Sequence, residues 1–82
     1  IMITIYSTSW CPSCIMAKTL LEEKDISYTE INIEEEGWGR EKLKELTGAM
    51  TVPQIIINDE CIGGFESLMI LNQSGKLDEL IK

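Results

Sequence analysis

The region around Pro12 limits the fold of this chain most, because a strand pattern changes there into a helix pattern. Residues 2–6 are β-branched and aromatic, which predicts a β-strand. Residues 12–24 place apolar side chains at helical spacing, and proline suits the first helical position because its missing N–H would have no partner there. Residues 27–33 alternate as a second strand. This order predicts two parallel strands joined by a right-handed crossover.

The rest of the chain is predicted to add further helices and a strand pair. The expected elements are a helix over residues 38–47 closed by Gly48, strands over 54–57 and 60–62, and helical segments over 65–71 and 76–82, the last with Leu77, Leu80 and Ile81 turned inward. Asn58 and Asp59 form the turn of the strand pair, which is therefore antiparallel. The sequence predicts an α/β fold: a four-stranded mixed sheet in the order β-α-β-α-β-β-α, flanked by helices.

Size, charge and cysteine content narrow the class of protein further. The 82 residues are enough for one domain, over residues 1–82, and the apolar runs are far shorter than the ~20 residues of a membrane span. A net charge of −7 argues against binding of nucleic acid, because phosphate contacts need clustered lysine and arginine. The same charge favours a solvated, monomeric protein. Three cysteines are unlike the even set of a secreted disulfide scaffold, so a cytoplasmic location is expected.

Cys11 and Cys14 flank Pro12 and Ser13 at the predicted start of the first helix. Free N–H groups of a first helical turn stabilise a thiolate, so Cys11 is expected to attack and Cys14, one turn later, to resolve the mixed disulfide. A structural zinc site would need four ligands, but the chain has only one further cysteine and no histidine. A structural disulfide would close too small a loop to restrict the unfolded chain much. A redox centre is the favoured interpretation.

Four blocks of the sequence point to a specific family. They are YSTSWCPSC over residues 6–14, TVPQI over 51–55, IGGFESL over 62–68 and LNQSGKLDELI over 71–81. In order and spacing they resemble the glutaredoxins along nearly the whole chain. The resemblance implies a thioredoxin-like fold and a glutathione-dependent dithiol–disulfide oxidoreductase, which reduces protein disulfides and glutathione mixed disulfides. Glutathione would be the co-substrate, disulfide-bearing or glutathionylated proteins the partners, and no metal is expected.

Pro53 is the centre of the second block. By itself, a proline here need only start a strand, where no ladder N–H is lost. The resemblance implies more: a cis peptide bond between Val52 and Pro53 that faces the cysteine pair and leaves the Val52 backbone free to bind glutathione in strand fashion. It also assigns Thr51 and Ser13 to the glutathione site.

Gly63 and Gly64 precede a predicted helix start. They can be interpreted as a flexible turn into a helix with a Ser or Glu cap, although a helix N-terminus after glycines also binds anions. The resemblance implies that this turn holds the γ-glutamyl end of glutathione through backbone N–H groups and an acidic or hydroxyl side chain. Gly64, Phe65, Glu66 and Ser67 occupy that place.

The chain also departs from the family pattern near the cysteines. Ser13 stands where many dithiol glutaredoxins have Tyr or Phe, and Thr8 stands where many have Lys or Arg. Arg40 or Lys42, in the second predicted helix, is the candidate to replace this cation.

Two tryptophans and the third cysteine lie outside these motifs, and their roles are predicted separately. Trp10, beside the thiols, either docks partner proteins or packs locally, and Trp38 is expected to anchor a helix start. Cys61 is expected to be a buried small hydrophobe, with a regulatory thiol as the alternative.

Two alternatives to glutathione-dependent reduction follow from the same departures. The first is a glutaredoxin-like electron donor to ribonucleotide reductase, recycled by thioredoxin reductase; Thr8 and Ser13 favour it, and Glu66 with Ser67 disfavours it. The second is a dimer that shares a [2Fe–2S] cluster through Cys11 and two glutathiones. Pro12 opposes the second, because cluster-binding members usually lack proline there.

Overall fold

A four-stranded mixed sheet is the centre of the fold in a computed structural model, which describes residues 2–81. The elements in chain order are β1 (Ile3–Ser7), α1 (Pro12–Glu23), β2 (Thr29–Asn32), α2 (Arg40–Thr47), β3 (Gln54–Ile57), β4 (Glu60–Gly63), α3 (Phe65–Gln73) and α4 (Lys76–Leu80). The strands lie in the order β2-β1-β3-β4, with β2 parallel to β1 and the other two pairs antiparallel. This confirms the predicted mixed sheet with flanking helices.

The ends of the elements differ from the prediction by a few residues. β1 lies one residue later than predicted, α1 ends one residue earlier, and β2 has four residues rather than seven. α2 begins at Arg40 because the extended backbone of Gly39 (φ −87°, ψ 175°) caps it. The turn between β3 and β4 has positive φ at Asn58 (50°) and Asp59 (70°), the conformation of a tight hairpin that these two residue types tolerate.

The short last helix differs most from its prediction. Leu77 is fully buried and Ile81 packs against the core, as expected, but Leu80 is 41% exposed. On a helix Ile81 lies about 40° from Leu77 and Leu80 about 60° to the other side, so the narrow contact of this short helix leaves Leu80 outside. Lys82, the end of the predicted segment, lies outside the described residues. Within those residues, no helix is both long and apolar enough to cross a membrane.

The main hydrophobic core lies between one face of the sheet and the helices α1, α3 and α4. Alternate residues of β1 and β3 face it, as the two-residue period of a strand requires. Its buried members are Ile3, Ile5, Ala17, Leu21, Ile26, Ile55, Ile57, Leu68 and Leu77.

The opposite face of the sheet is covered by the segment that leads into α2. Tyr6 alternates with the core residues of β1, and its ring contacts that of Trp38 with centroids 6.4 Å apart. Nζ of Lys42 lies 5.8 Å from the Trp38 ring, and Leu43 of α2 is fully buried. Trp38 therefore anchors the approach to α2, two residues before the helix begins.

Candidate active site

The cysteine pair lies at the start of α1. Cys11 is the N-cap residue, Pro12 is the first helical residue, and the backbone N–H of Cys14 donates to Sγ of Cys11 over 3.1 Å. The two cysteines form a disulfide with their Cα atoms 5.2 Å apart. Cys11 is 7% exposed and Cys14 only 1%, so an incoming molecule reaches the sulfur of Cys11 first. The N–H of Cys14 and the positive end of the α1 dipole stabilise a thiolate on this sulfur after reduction.

Asn32, the last residue of β2, and Glu34, just beyond it, hold the loop that leads into Cys11. The backbone N–H of Ser9 donates to Oε1 of Glu34 at 2.8 Å, and Nδ2 of Asn32 donates to Oγ of Ser9 at 3.2 Å. Oγ1 of Thr8 donates to the carbonyl of Trp10, which is 81% exposed and directly precedes Cys11. Sequence analysis did not identify Asn32 and Glu34, because this contact joins segments more than 20 residues apart and has no local signal.

A polar network fixes α1 to the sheet below the cysteines. The fully buried Ser7 donates to Oε2 of Glu30 at 2.7 Å, and Nζ of Lys18 donates to the same oxygen at 2.9 Å. The hydrogen bond from Ser7, followed by that from Lys18, lowers the pKa of Glu30 from its usual value. Glu30 therefore remains a carboxylate that ties α1, β1 and β2 together.

An open groove of about 440 Å³ lies beside the cysteine pair. Its lining contains each residue assigned to the glutathione site by resemblance, with Pro53 and one unpredicted residue, Met16. The lining residues are Ser13, Met16, Thr51, Val52, Pro53, Gly64, Phe65, Glu66 and Ser67. Met16 follows Ser13 by three residues on α1, and this helical spacing is the signal that could have identified it.

One wall of the groove is the loop before β3. The Val52–Pro53 peptide bond is cis, as the resemblance implied, and Pro53 is buried. Neither backbone group of Val52 makes a hydrogen bond to another residue of the described chain. Both groups therefore remain available to an extended ligand.

The other wall is the start of α3. Gly64 caps the helix without a side-chain hydrogen bond, so the predicted Ser or Glu cap is absent at this position. The first helical bond runs from Leu68 N–H to the Gly64 carbonyl at 3.2 Å, which leaves the N–H groups of Phe65, Glu66 and Ser67 for a ligand. A Cβ at Gly64 would lie 3.5 Å from the Pro53 carbonyl, so this turn packs directly against the first wall.

The two candidate cations have different neighbours. Nη1 of Arg40 donates to the carbonyl of Met50 at 3.1 Å, directly before the groove residue Thr51. Lys42 lies over Trp38 instead. Neither cation lines the groove, but Arg40 lies nearer to it than Lys42 does. Arg40 is therefore the better candidate to replace the cation that many glutaredoxins have at the position of Thr8.

Cys61 is exposed, which contradicts its predicted burial. The reason is its position: β4 is an edge strand, and Cys61 pairs with Ile56 on the face of the sheet opposite the main core. Its Sγ donates to Oε1 of Gln54 at 3.5 Å.

The mixed sheet and the cysteine pair at a helix start define a thiol–disulfide oxidoreductase of the thioredoxin-like fold class. A sequence model described as glutaredoxin matches residues 3–62. The chain belongs to the glutaredoxin family, which confirms the resemblance in the four sequence blocks.

Curated relatives and solved structures agree with this assignment. A glutaredoxin of Pseudomonas aeruginosa is 42% identical over 79 residues, which cover 96% of this chain and 94% of the relative. Glutaredoxin 3 of Escherichia coli K12 is 40% identical over 80 residues, with 98% and 96% covered. The solution structure of a Brucella melitensis glutaredoxin superposes with a TM-score of 0.83 at 36% identity, covering 100% of this chain and 89% of that one. A buckwheat glutaredoxin–glutathione complex gives 0.84 at 26% identity, with 95% and 74% covered.

Proposed function

We propose that this oxidoreductase acts in the cytosol on protein disulfides and glutathione mixed disulfides, with glutathione as its reductant. The main support is the groove beside Ser13, which brings residues from α1, the loop before β3 and the start of α3 to one side of the cysteine pair. The buckwheat relative, whose structure is a complex with glutathione, supports the same ligand class. The cytosol is proposed because glutathione keeps thiols reduced there.

The chemical groups along the groove suit the parts of glutathione. The free backbone groups of Val52 can pair with the extended cysteinyl part of the tripeptide in strand fashion. The unpartnered N–H groups at the start of α3 can hold the α-carboxylate of the γ-glutamyl end. The exposed carboxylate of Glu66 can accept from the ammonium group at the same end.

The proposed reaction on a glutathione mixed disulfide needs only Cys11. Its thiolate attacks the glutathione sulfur, the bond between that sulfur and the substrate breaks, and the substrate thiolate leaves and takes a proton. The thiolate of a second glutathione then attacks the sulfur of the bound glutathione. Oxidised glutathione leaves, and the Cys11 thiolate is restored.

Reduction of a protein disulfide also uses Cys14. Attack by Cys11 on one substrate sulfur releases the other as a thiol and leaves a mixed disulfide. Cys14 loses its proton and attacks Sγ of Cys11, which forms the Cys11–Cys14 disulfide and releases the second substrate thiol. Two glutathione molecules then reduce this disulfide and leave as oxidised glutathione.

The test compares two sources of electrons on one substrate, a glutathionylated peptide, with NADPH oxidation as the measurement. Wild-type protein should turn over with glutathione and glutathione reductase and not with thioredoxin reductase alone. Cys11→Ser, the matched control, should be inactive with both. Turnover with thioredoxin reductase in the absence of glutathione would contradict the proposal. It would favour the alternative, an electron donor to ribonucleotide reductase that thioredoxin reductase recycles.

A further inference from the structure

Gln54 is a buried polar residue directly after the cis proline. Gln54 is 4% exposed. It is the first residue of β3, and its backbone pairs with that of Tyr6 in β1. Nε2 donates to Oγ1 of Thr51 at 3.1 Å, and Oε1 accepts from Sγ of Cys61 at 3.5 Å. The amide thus connects an exposed thiol on β4 with an exposed hydroxyl on the wall of the groove.

The orientation of this amide determines what the hydroxyl of Thr51 can do. A hydroxyl has one hydrogen to donate and two lone pairs to accept with. Because Nε2 of Gln54 occupies one lone pair, the hydrogen of Thr51 is left to donate to a ligand. With the amide reversed, its oxygen would face Thr51 and accept that hydrogen, and the groove would lose a donor.

The thiol of Cys61 favours the first orientation. An S–H group is a weak donor, and a carbonyl oxygen is a better acceptor for it than an amide nitrogen, which has only hydrogens to offer. Oε1 therefore faces Cys61, and Nε2 faces Thr51.

We propose that Gln54 is a positioning residue, which holds Thr51 as a hydrogen-bond donor to a carbonyl or carboxylate of glutathione, and that Cys61 fixes the amide of Gln54. This inference rests on the proposed use of glutathione. Neither Gln54 nor Cys61 lines the groove, so both act on the ligand only through Thr51. We therefore expect them to affect the affinity for glutathione and not the exchange of disulfides.

The test measures KM and kcat for the glutathione mixed disulfide of cysteine in Gln54→Met. Methionine has a similar volume and leaves no buried polar group without a partner, since Thr51 and Cys61 both reach water. Loss of one hydrogen bond to the ligand should raise KM about 2- to 10-fold, with kcat unchanged. Gln73→Met makes the same exchange at an exposed position and should leave both constants at the wild-type value.

A double-mutant cycle separates positioning from a general structural role. In a Thr51→Val background, Gln54→Met should raise KM no further. A rise of equal size in both backgrounds, or no rise in the single variant, would overturn the role of Gln54. A wild-type protein without glutathione-dependent turnover would instead overturn the proposed function, and this inference with it.

Substitution of Cys61 tests the same network without changing the buried side chain of Gln54. Cys61→Ser keeps a donor to Gln54 and should keep the wild-type KM, whereas Cys61→Ala removes the donor and should raise KM. Equal KM values for these two variants would overturn the role of Cys61.

Discussion

The backbone N–H of Cys14 donates a 3.1 Å hydrogen bond to Sγ of Cys11. The sulfur of Cys11 thus takes the place of a capping side chain at the start of α1, where the first-turn amides concentrate partial positive charge. After reduction, the same amides stabilise a negative charge on this sulfur. This geometry supports the proposed division of roles, with Cys11 as the nucleophile and the buried Cys14 as the resolving thiol.

This geometry predicts the order in which the reduced cysteines react. With limiting iodoacetamide at about pH 6, Cys11 should be alkylated first, Cys61 second and Cys14 last, because the thiolate is the reactive form and Cys14 is buried. Peptide mass mapping after short reaction times measures the order. In denatured protein, the control, the three rates should converge. Faster alkylation of Cys61 than of Cys11 in the folded protein would contradict the prediction.

Gly63, which directly precedes the groove residue Gly64, should tolerate substitution poorly. Its φ is +107°, and an added Cβ would lie 2.9 Å from Oγ of Ser67. Gly63→Ala should therefore lower the free energy of unfolding by about 2 kcal/mol or more and raise KM for the mixed disulfide. Gly37→Ala is the matched control, since φ is +74° there but the space is open, and about 1 kcal/mol is expected. Equal losses in urea unfolding would contradict the prediction that the close contact with Ser67 and the larger φ make Gly63 the less tolerant position.

Glu30 should make stability depend on acidic pH. Its pKa is lowered in the folded protein, so its charged form stabilises the fold above the usual carboxyl range near pH 4.5, and this contribution disappears as the pH falls through the folded value. Glu30→Gln keeps an acceptor for Ser7 and removes only the charge. Because the side chain is 34% exposed, the loss at pH 7 should be below about 1 kcal/mol. Urea unfolding from pH 7 to 3 should show this difference shrinking; a difference that grows would contradict the prediction.

Arg40 should contribute to ligand affinity through the loop before the groove. It binds the carbonyl of Met50 and adds a positive charge close to Thr51. Arg40→Ala should raise KM about 2- to 5-fold, the usual size for an exposed charged hydrogen bond. Lys42→Ala removes an equal charge from Trp38 and should change KM less. A larger effect of Lys42 than of Arg40 would reverse this assignment.

The sequence was sufficient to predict the sheet and the walls of the groove, because these depend on local patterns and on four family blocks. The strand and helix periods, together with Pro12, place Cys11 at a helix start. The blocks assign Thr51 and Ser67 to one site, and both residues line the same groove although they lie 16 residues apart.

The remaining features depend on contacts between distant segments. Cys61 was predicted to be buried because a short apolar strand does not reveal that it lies at the edge of the sheet. The contacts of Asn32 and Glu34 with Ser9 arise only after β2 pairs with β1. Leu80 matched a helical pattern, but the pattern does not show how little of a short helix touches the core.

The central claim is that glutathione binds in the groove and reacts at Cys11. The most direct measurement uses Cys14→Ser, which keeps Cys11 and the exposed Cys61, incubated briefly with oxidised glutathione, and locates the adduct by peptide mass mapping. We predict one glutathione per protein, on Cys11 and ahead of Cys61, and restored thiol after addition of reduced glutathione. In the control, Cys11→Ser in the same background, Cys61 should react much more slowly than Cys11 does. No adduct on Cys11, or an adduct that reduced glutathione does not remove, would contradict the account.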